Sequence, residues 1–433
     1  MSITVIFMGF VIMLAVMFLS MPVAVAILAV GGMGGYLAYG MPLVETMGGV
    51  VWGTLNNPVM TAIPLFMLLG ELLLRGGIAD RMFDALAVWL GRLPGGLLHT
   101  NIGTCALFSA TSGSSVATAA TVGTIALPAL GERDYPVRPT LGTLAAGGTL
   151  GILIPPSVNL LVYGSLANVS VGQLFIAGIL PGIVLTLLFS AYVAMRYPDA
   201  GRDTQAPAVS AVEKRRLLRH LVPPAAIFGI VMGSIYGGLA TPTESAALGV
   251  IAAFWFVWRG RRLSWDLLEN CFIQSARTSG MVILVIVSAL LLNVTLSMTG
   301  GTQAVTRWVT SLELSQTTLL LLLMVFYVIL GMFMDAMSML VLTVPIVVPM
   351  VTALGVDPIW FGVFVVVMCE IGLITPPVGM NLFVVQGVRK GGGDFSDVIR
   401  GAAPFVVLMI GFAGLLVAIP EIALLLPHMA SGR

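Results

Sequence analysis

The chain has 433 residues, of which 58% are hydrophobic and only 9% charged, with a net charge of +1 and a mean hydropathy of +1.05. A typical soluble domain is about 25% charged, so this composition cannot cover a water-facing surface and excludes a soluble enzyme, a disordered chain and a nucleic-acid binder. Apolar runs recur along the whole length, which makes it a polytopic all-α membrane protein.

In chain order, the first half (1–196) opens with two apolar spans inside 4–40 and an amphipathic arm helix at 42–57. A span at 60–75 and a second arm at 78–92 follow. A Gly/Ser-rich hairpin (94–130), a helix interrupted by a double proline (140–165) and a last span (172–196) complete it. The N-terminal MSITVIFMGF has no basic stretch and no small-residue cleavage site, so it reads as a retained span. The polar stretch 197–221 is a linker.

The second half (222–433) repeats the first at an offset of 221 residues: LGILIPPSVNL at 150–160 resembles IGLITPPVGMNL at 371–382, with Gly151, Pro155 and Pro156 aligned on Gly372, Pro376 and Pro377, and Pro128 on Pro349. Two spans lie within 222–260, arms at 263–278 and 299–313, a span at 281–296 between the arms, a hairpin at 315–351, a broken helix at 359–385 and a last span at 402–419. If each hairpin is re-entrant, each half crosses the membrane five times, and the odd number inverts the second half relative to the first. The positive-inside rule agrees. With both termini periplasmic, every Lys and Arg except Arg307 and Arg433 lies in an inner segment.

Irregular backbone survives at membrane depth only where it lines a cavity. The sequence predicts four such places: hairpin tips at Ser109–Thr121 and Gly331–Met339, and helix breaks at Ile154–Asn159 and Thr375–Asn381. A proline frees the carbonyl about four residues earlier, giving hard oxygen ligands, while half-helix N-termini carry partial positive charge. The hydroxyls of Ser112, Ser114, Ser115, Ser157 and Thr375 and the amides of Asn159 and Asn381 add neutral ligands, as a sodium-coupled carboxylate site requires. Asp335, at the second tip, is a candidate cation ligand, a tip-ordering group or a local helix cap. Glu370 could line the substrate cavity, face inner water or carry a proton. Cys105, Cys271 and Cys369, like His99, His220 and His428, are dispersed and form no disulfide or metal pattern.

The strings GRLPGGLLHTNIG (91–103), SGSSVATAATVG (112–123), LGILIPPS (150–157), LFIAGILPG (174–182), GLATPTESAALGV (238–250) and EIGLITPPVGMNLFVV (370–385) together resemble the M-type large membrane subunit of tripartite ATP-independent periplasmic (TRAP) transporters, over nearly the full length. The resemblance implies an elevator-type fold like that of the ion transporter superfamily, in the bacterial inner membrane. It implies sodium-driven import of an organic acid, with sodium as coupling ion and no cofactor. Its partners would be a separate small four-helix membrane subunit, a periplasmic substrate-binding protein and the lipid bilayer. By that resemblance the hairpins and broken helices form the moving domain, and spans 4–40 and 222–260 the scaffold. Sodium would sit at Ser112 and Gly113, and at Asp335 with Thr375, Gly379 and Asn381. Substrate would meet Ser114, Ser115, Pro155, Pro156, Ser157, Asn159, Pro376 and Pro377. Relatives often carry an acid where this chain has Thr118, so no ligand is carried over there. A stand-alone sodium- or proton-coupled carboxylate transporter of the same superfamily is the alternative.

Overall fold

A computed structural model describes residues 3–19, 21–200 and 210–430. The middle of the linker, with Arg202, and the terminal Arg433 lie outside the described residues. Every regular element among the described residues is helical.

The first half runs α1 (Ile3–Phe18), α2 (Val23–Tyr39), α3 (Met41–Leu55), α4 (Pro58–Arg75), α5 (Ile78–Leu90), α6 (Leu97–Ser112), α7 (Ser115–Gly131), α8 (Val137–Leu153), α9 (Val158–Ala167) and α10 (Val171–Arg196). Its boundaries follow local chemistry. Asn57 accepts from the Val59 N–H and Pro58 takes the first helical position, so α4 starts cleanly after α3. Glu71 near the end of α4 pairs with Arg75 at 2.8 Å. The pair α8 and α9 is a broken helix, bent by 41° at the double proline.

The described part of the linker is α11 (Ala211–Leu218), followed by a single 3-10 turn that runs into α12 (Val222–Tyr236). The second half continues as α13 (Pro242–Arg259), α14 (Trp265–Met298), α15 (Gly301–Ser311), α16 (Gln316–Gly331), α17 (Ala336–Ala353), α18 (Pro358–Leu373), α19 (Met380–Val388), α20 (Phe395–Ala418) and α21 (Glu421–Ala430). Thr241 and Glu244 form a reciprocal capping box that starts α13.

Three features differ from the sequence expectation. The arm at 263–278 and the span after it are one 34-residue helix, α14. The Asn-Asn-Pro that separates α3 from α4 is replaced, 221 residues on, by Arg277-Thr278-Ser279, which lets the helix run through. The last span begins at Phe395 rather than 402, because Asp394 caps it. Pro420 then ends the span and opens an extra helix, α21, which packs on α10 and α18.

The halves embrace reciprocally. α2 lies along α14 while α13 lies along α4; α9 meets α17 while α19 meets α7; α8 meets α20 while α10 meets α18. Each contact is its partner's image under exchange of halves, the pattern that an approximate two-fold axis between inverted repeats produces. α6 folds back against α7 and α16 against α17, where the Tyr327 hydroxyl donates to Thr343 Oγ1 at 2.7 Å. From Pro139 to Leu153 every residue of α8 is buried, as is α18 from Trp360 to Leu373. By contrast Phe7, Leu37, Trp52, Ile251 and Trp258 on α1, α2, α3 and α13 are exposed, an apolar surface of the kind that faces lipid.

Candidate functional site

At the first tip, Gly113 takes a left-handed φ of +61°, and a Cβ there would stand 3.0 Å from the Pro156 carbonyl. The tip is therefore seated on the first break. Ser114 caps α7 by accepting the Ala117 N–H. The Thr118 hydroxyl donates to the Ser114 carbonyl at 2.7 Å and lies 2.9 Å from the Ser112 hydroxyl. Gly151 on α8 lets the Ser114–Ser115 backbone close in, since a Cβ would meet the Ser114 carbonyl at 2.7 Å.

Below it, α8 stops at Leu153 and the Pro155–Pro156 peptide is cis, with both rings buried. Ser157 is fully buried and ties the break together, donating to the Ile152 carbonyl and accepting the Leu160 N–H. The Asn159 Nδ2 is buried with no partner.

The second pair follows the same plan with other chemistry. Gly331 ends α16 against Gly372 of α18, where a Cβ would lie 2.6 Å from the Gly372 Cα. Asp335 caps α17, accepting from the Met337 N–H (3.0 Å), the Ser338 N–H (3.2 Å) and the Ser338 hydroxyl. The Val378 N–H donates to the Met332 carbonyl at 3.2 Å and so joins tip to break. The Thr375 hydroxyl turns back to the Ile371 carbonyl, and Gly379, at φ +45°, opens α19. The Pro376–Pro377 peptide is also cis, but Pro376 is half-buried and Pro377 exposed.

Asn381, which the sequence grouped with Asp335, also reaches into the other half, its Nδ2 donating to Ser115 Oγ at 2.7 Å and to the Ala145 carbonyl at 3.3 Å while its Oδ1 has no partner. That crossing joins residues 266 positions apart and has no local signal in the sequence. The Ser157 and Thr375 hydroxyls are engaged within their own breaks, which leaves backbone carbonyls and the unpartnered Asn381 Oδ1 as free oxygens there. Glu370 is wholly buried, its carboxyl turned to the Leu153 backbone at the end of α8, so it faces no water in this conformation.

Sequence reasoning missed a cleft of about 460 Å³ between α1 and the second tip. Phe10, Leu14 and Met17 of α1 line one side; Phe333, Asp335 and Met380 are among the residues opposite, and Asp335 is its sole charged group. The spacing of 10, 14 and 17 on one helix face was the available signal. Around the cleft and the two tips the donors are carbonyls, hydroxyls and one carboxylate, a hard-oxygen set suited to a small alkali cation.

Comparison with known proteins agrees along the length. Residues 10–422 match the family described as "Tripartite ATP-independent periplasmic transporter, DctM component". A protein of Pseudomonas aeruginosa named C4-dicarboxylate TRAP transporter large permease protein DctM is 36% identical over 381 residues, 87% of each chain. The isethionate TRAP transporter permease protein DctMQ of Oleidesulfovibrio alaskensis is 33% identical over 94% of this chain and 64% of its own length. An ectoine/5-hydroxyectoine TRAP transporter large permease protein of Ruegeria pomeroyi, UehC, is 29% identical over 98% of this chain and 99% of its own. Among solved structures, the YdaH transporter of Alcanivorax borkumensis superposes with a TM-score of 0.63 over 88% of both chains at 16% identity, a likeness of fold.

Proposed function

The chain belongs to the DctM-component family of tripartite ATP-independent periplasmic transporters, as a large permease of the bacterial membrane, and from that premise we propose that it drives sodium-coupled import of an organic acid. A periplasmic binding protein delivers the acid, and a small four-helix subunit completes the membrane unit in the inner membrane, with both termini of this chain periplasmic.

The observation that carries this reading is the pairing of each hairpin tip with a double-proline break inside the protein. Where α6, α8, α16 and α18 end, carbonyls lose their helical partners and present negative dipole ends; where α7, α9, α17 and α19 begin, the positive ends face the same space. A cation held by the first set lowers the cost of a carboxylate held by the second. Coupling follows if the domain moves when both are bound or when it is empty, and stays with sodium alone, which is a difference in affinity between conformations. The cleft between α1 and the second tip is the surface on which such an elevator would slide.

Proteoliposomes holding this chain, the small subunit and the binding protein should take up substrate only under an inward sodium gradient. Equal uptake without sodium would overturn the coupling. One observation favours a second reading: the wholly buried Glu370 carboxyl, with no basic side chain paired to it among the described residues, suits proton coupling, and uptake driven by a proton gradient in sodium-free buffer would select it. Uptake by this chain alone would favour a transporter that needs no binding protein.

A further inference from the structure

The two tip–break pairs are reciprocal in packing but not in polar contacts. Where α19 crosses α7, the Asn381 amide bonds to Ser115 Oγ and to the Ala145 carbonyl. At the mirror-related crossing of α9 on α17, the Asn159 Nδ2 has no partner. One polar tie therefore joins the second break to the first tip.

We propose that Asn381 is a positioning residue, a latch through which the state of the second break sets the geometry of the first tip, so that the two cation sites fill as a unit. Three features carry the argument. Asn381 is fully buried and is the second residue of α19, two residues past Gly379, where the backbone leaves the break. A displacement of the break therefore moves its amide directly. Its acceptor Ser115 opens α7 beside Ser114 and Gly113, so a shift of Ser115 moves the tip backbone. Gly148 lies beneath the amide, where a Cβ would come 3.1 Å from the Asn381 Nδ2 and 2.7 Å from the Ala119 Cβ, so the crossing is too close to slide without breaking the bond. In a buried setting a donor left without an acceptor is penalised, and the bond persists only in the conformation that holds both ends.

The joint filling of the sites rests on the sodium reading above; the latch itself does not, and the test separates them. A Val116→Cys probe at the half-buried tip reports tip opening through its rate of reaction with a thiol reagent, against the buried native Cys105, Cys271 and Cys369. In sodium-free buffer, Asn381→Leu should raise that rate about tenfold, the size of one buried hydrogen bond lost. Ser115→Ala, which removes the acceptor with little change of volume, should do the same, and the double variant should add nothing further. In uptake assays the steep sodium dependence of the parent should flatten toward single-site behaviour in both variants. Unchanged labelling in Ser115→Ala, or effects of the two substitutions that simply multiply, would overturn the latch. Faster labelling with a parent whose uptake ignores sodium would keep the latch and discard the sodium reading.

Discussion

At the first tip the returning helix is capped by Ser114; 221 residues on, the equivalent position is Asp335. Around Ser114 the backbone is packed shut, with Pro155, Pro156 and Ser157 all buried and neutral hydroxyls as the only caps. Around Asp335 the second break is half open, Pro377 and Val378 are exposed, and the carboxylate borders a cleft shared with α1. One duplicated backbone plan thus reaches two chemical solutions. A closed tip cannot bear an unpaired charge, because burial of an ion costs many times a hydrogen bond; a tip beside an open cleft can. In the proposed mechanism the second pair is the part that responds to solution, and the first follows it through Asn381.

The largest effects should come from forcing the close approaches apart. Gly331→Ala drives a methyl into the Gly372 backbone and should cost about 3 kcal/mol, the upper range for overpacking. Gly113→Ala strains a left-handed residue against a single carbonyl and should cost about 1–2 kcal/mol. Thermal unfolding in detergent would rank them, and the reverse order would mean that the first pair, not the second, is the tighter joint.

Next in size is the charge at the second tip. Asp335→Ala should raise the sodium needed for half-maximal uptake about tenfold, since it removes a cap with three donors. Glu244→Ala, which dismantles only the capping box of α13, should leave the sodium curve in place. Matching curves for the two would remove Asp335 from the ion site. Asp335→Asn sharpens the point, because asparagine caps nearly as well but carries no charge: a wild-type curve would assign Asp335 to capping alone.

The smallest contrast lies between the hydroxyls of the breaks. Ser157→Ala strands a buried donor and should cost about 1–3 kcal/mol, whereas Thr375→Val gives up one back-bond to its own helix and should cost less than about 1 kcal/mol. Unfolding midpoints that fall equally would erase the distinction between the closed and open breaks.

Much of the fold was legible because its strongest signals are local. A double proline ends a helix wherever it stands, so Pro155-Pro156 and Pro376-Pro377 located both breaks and, by their spacing, the repeat. Glycine and serine marked the first tip, though the break there is only Gly113 and Ser114, shorter than the polar stretch around it. The continuity of α14 was hidden because an amphipathic stretch joined to an apolar one reads as two helices unless a breaker is required between them. The reach of Asn381 into the other half was hidden for a different reason. Proximity along the chain is a poor guide where halves interlock, and the amide found its partner 266 residues away. Nor could periodicity tell that Glu370 is sealed from water, since that depends on which helices close over α18.

The unbroken α14 has a consequence for the lipid. At 34 residues and 1.5 Å per residue it is about 51 Å long, well beyond a hydrocarbon layer of about 30 Å. A stiff rod of that length must lean or protrude, and the angle it takes depends on the thickness of the surrounding leaflets. The Thr295 hydroxyl pins it to the Gly31 carbonyl of α2 at 3.0 Å, so any tilt is handed to the fixed frame beside it. Lipids of longer or shorter acyl chain should therefore change the lean of α14 and, through that bond, of α2.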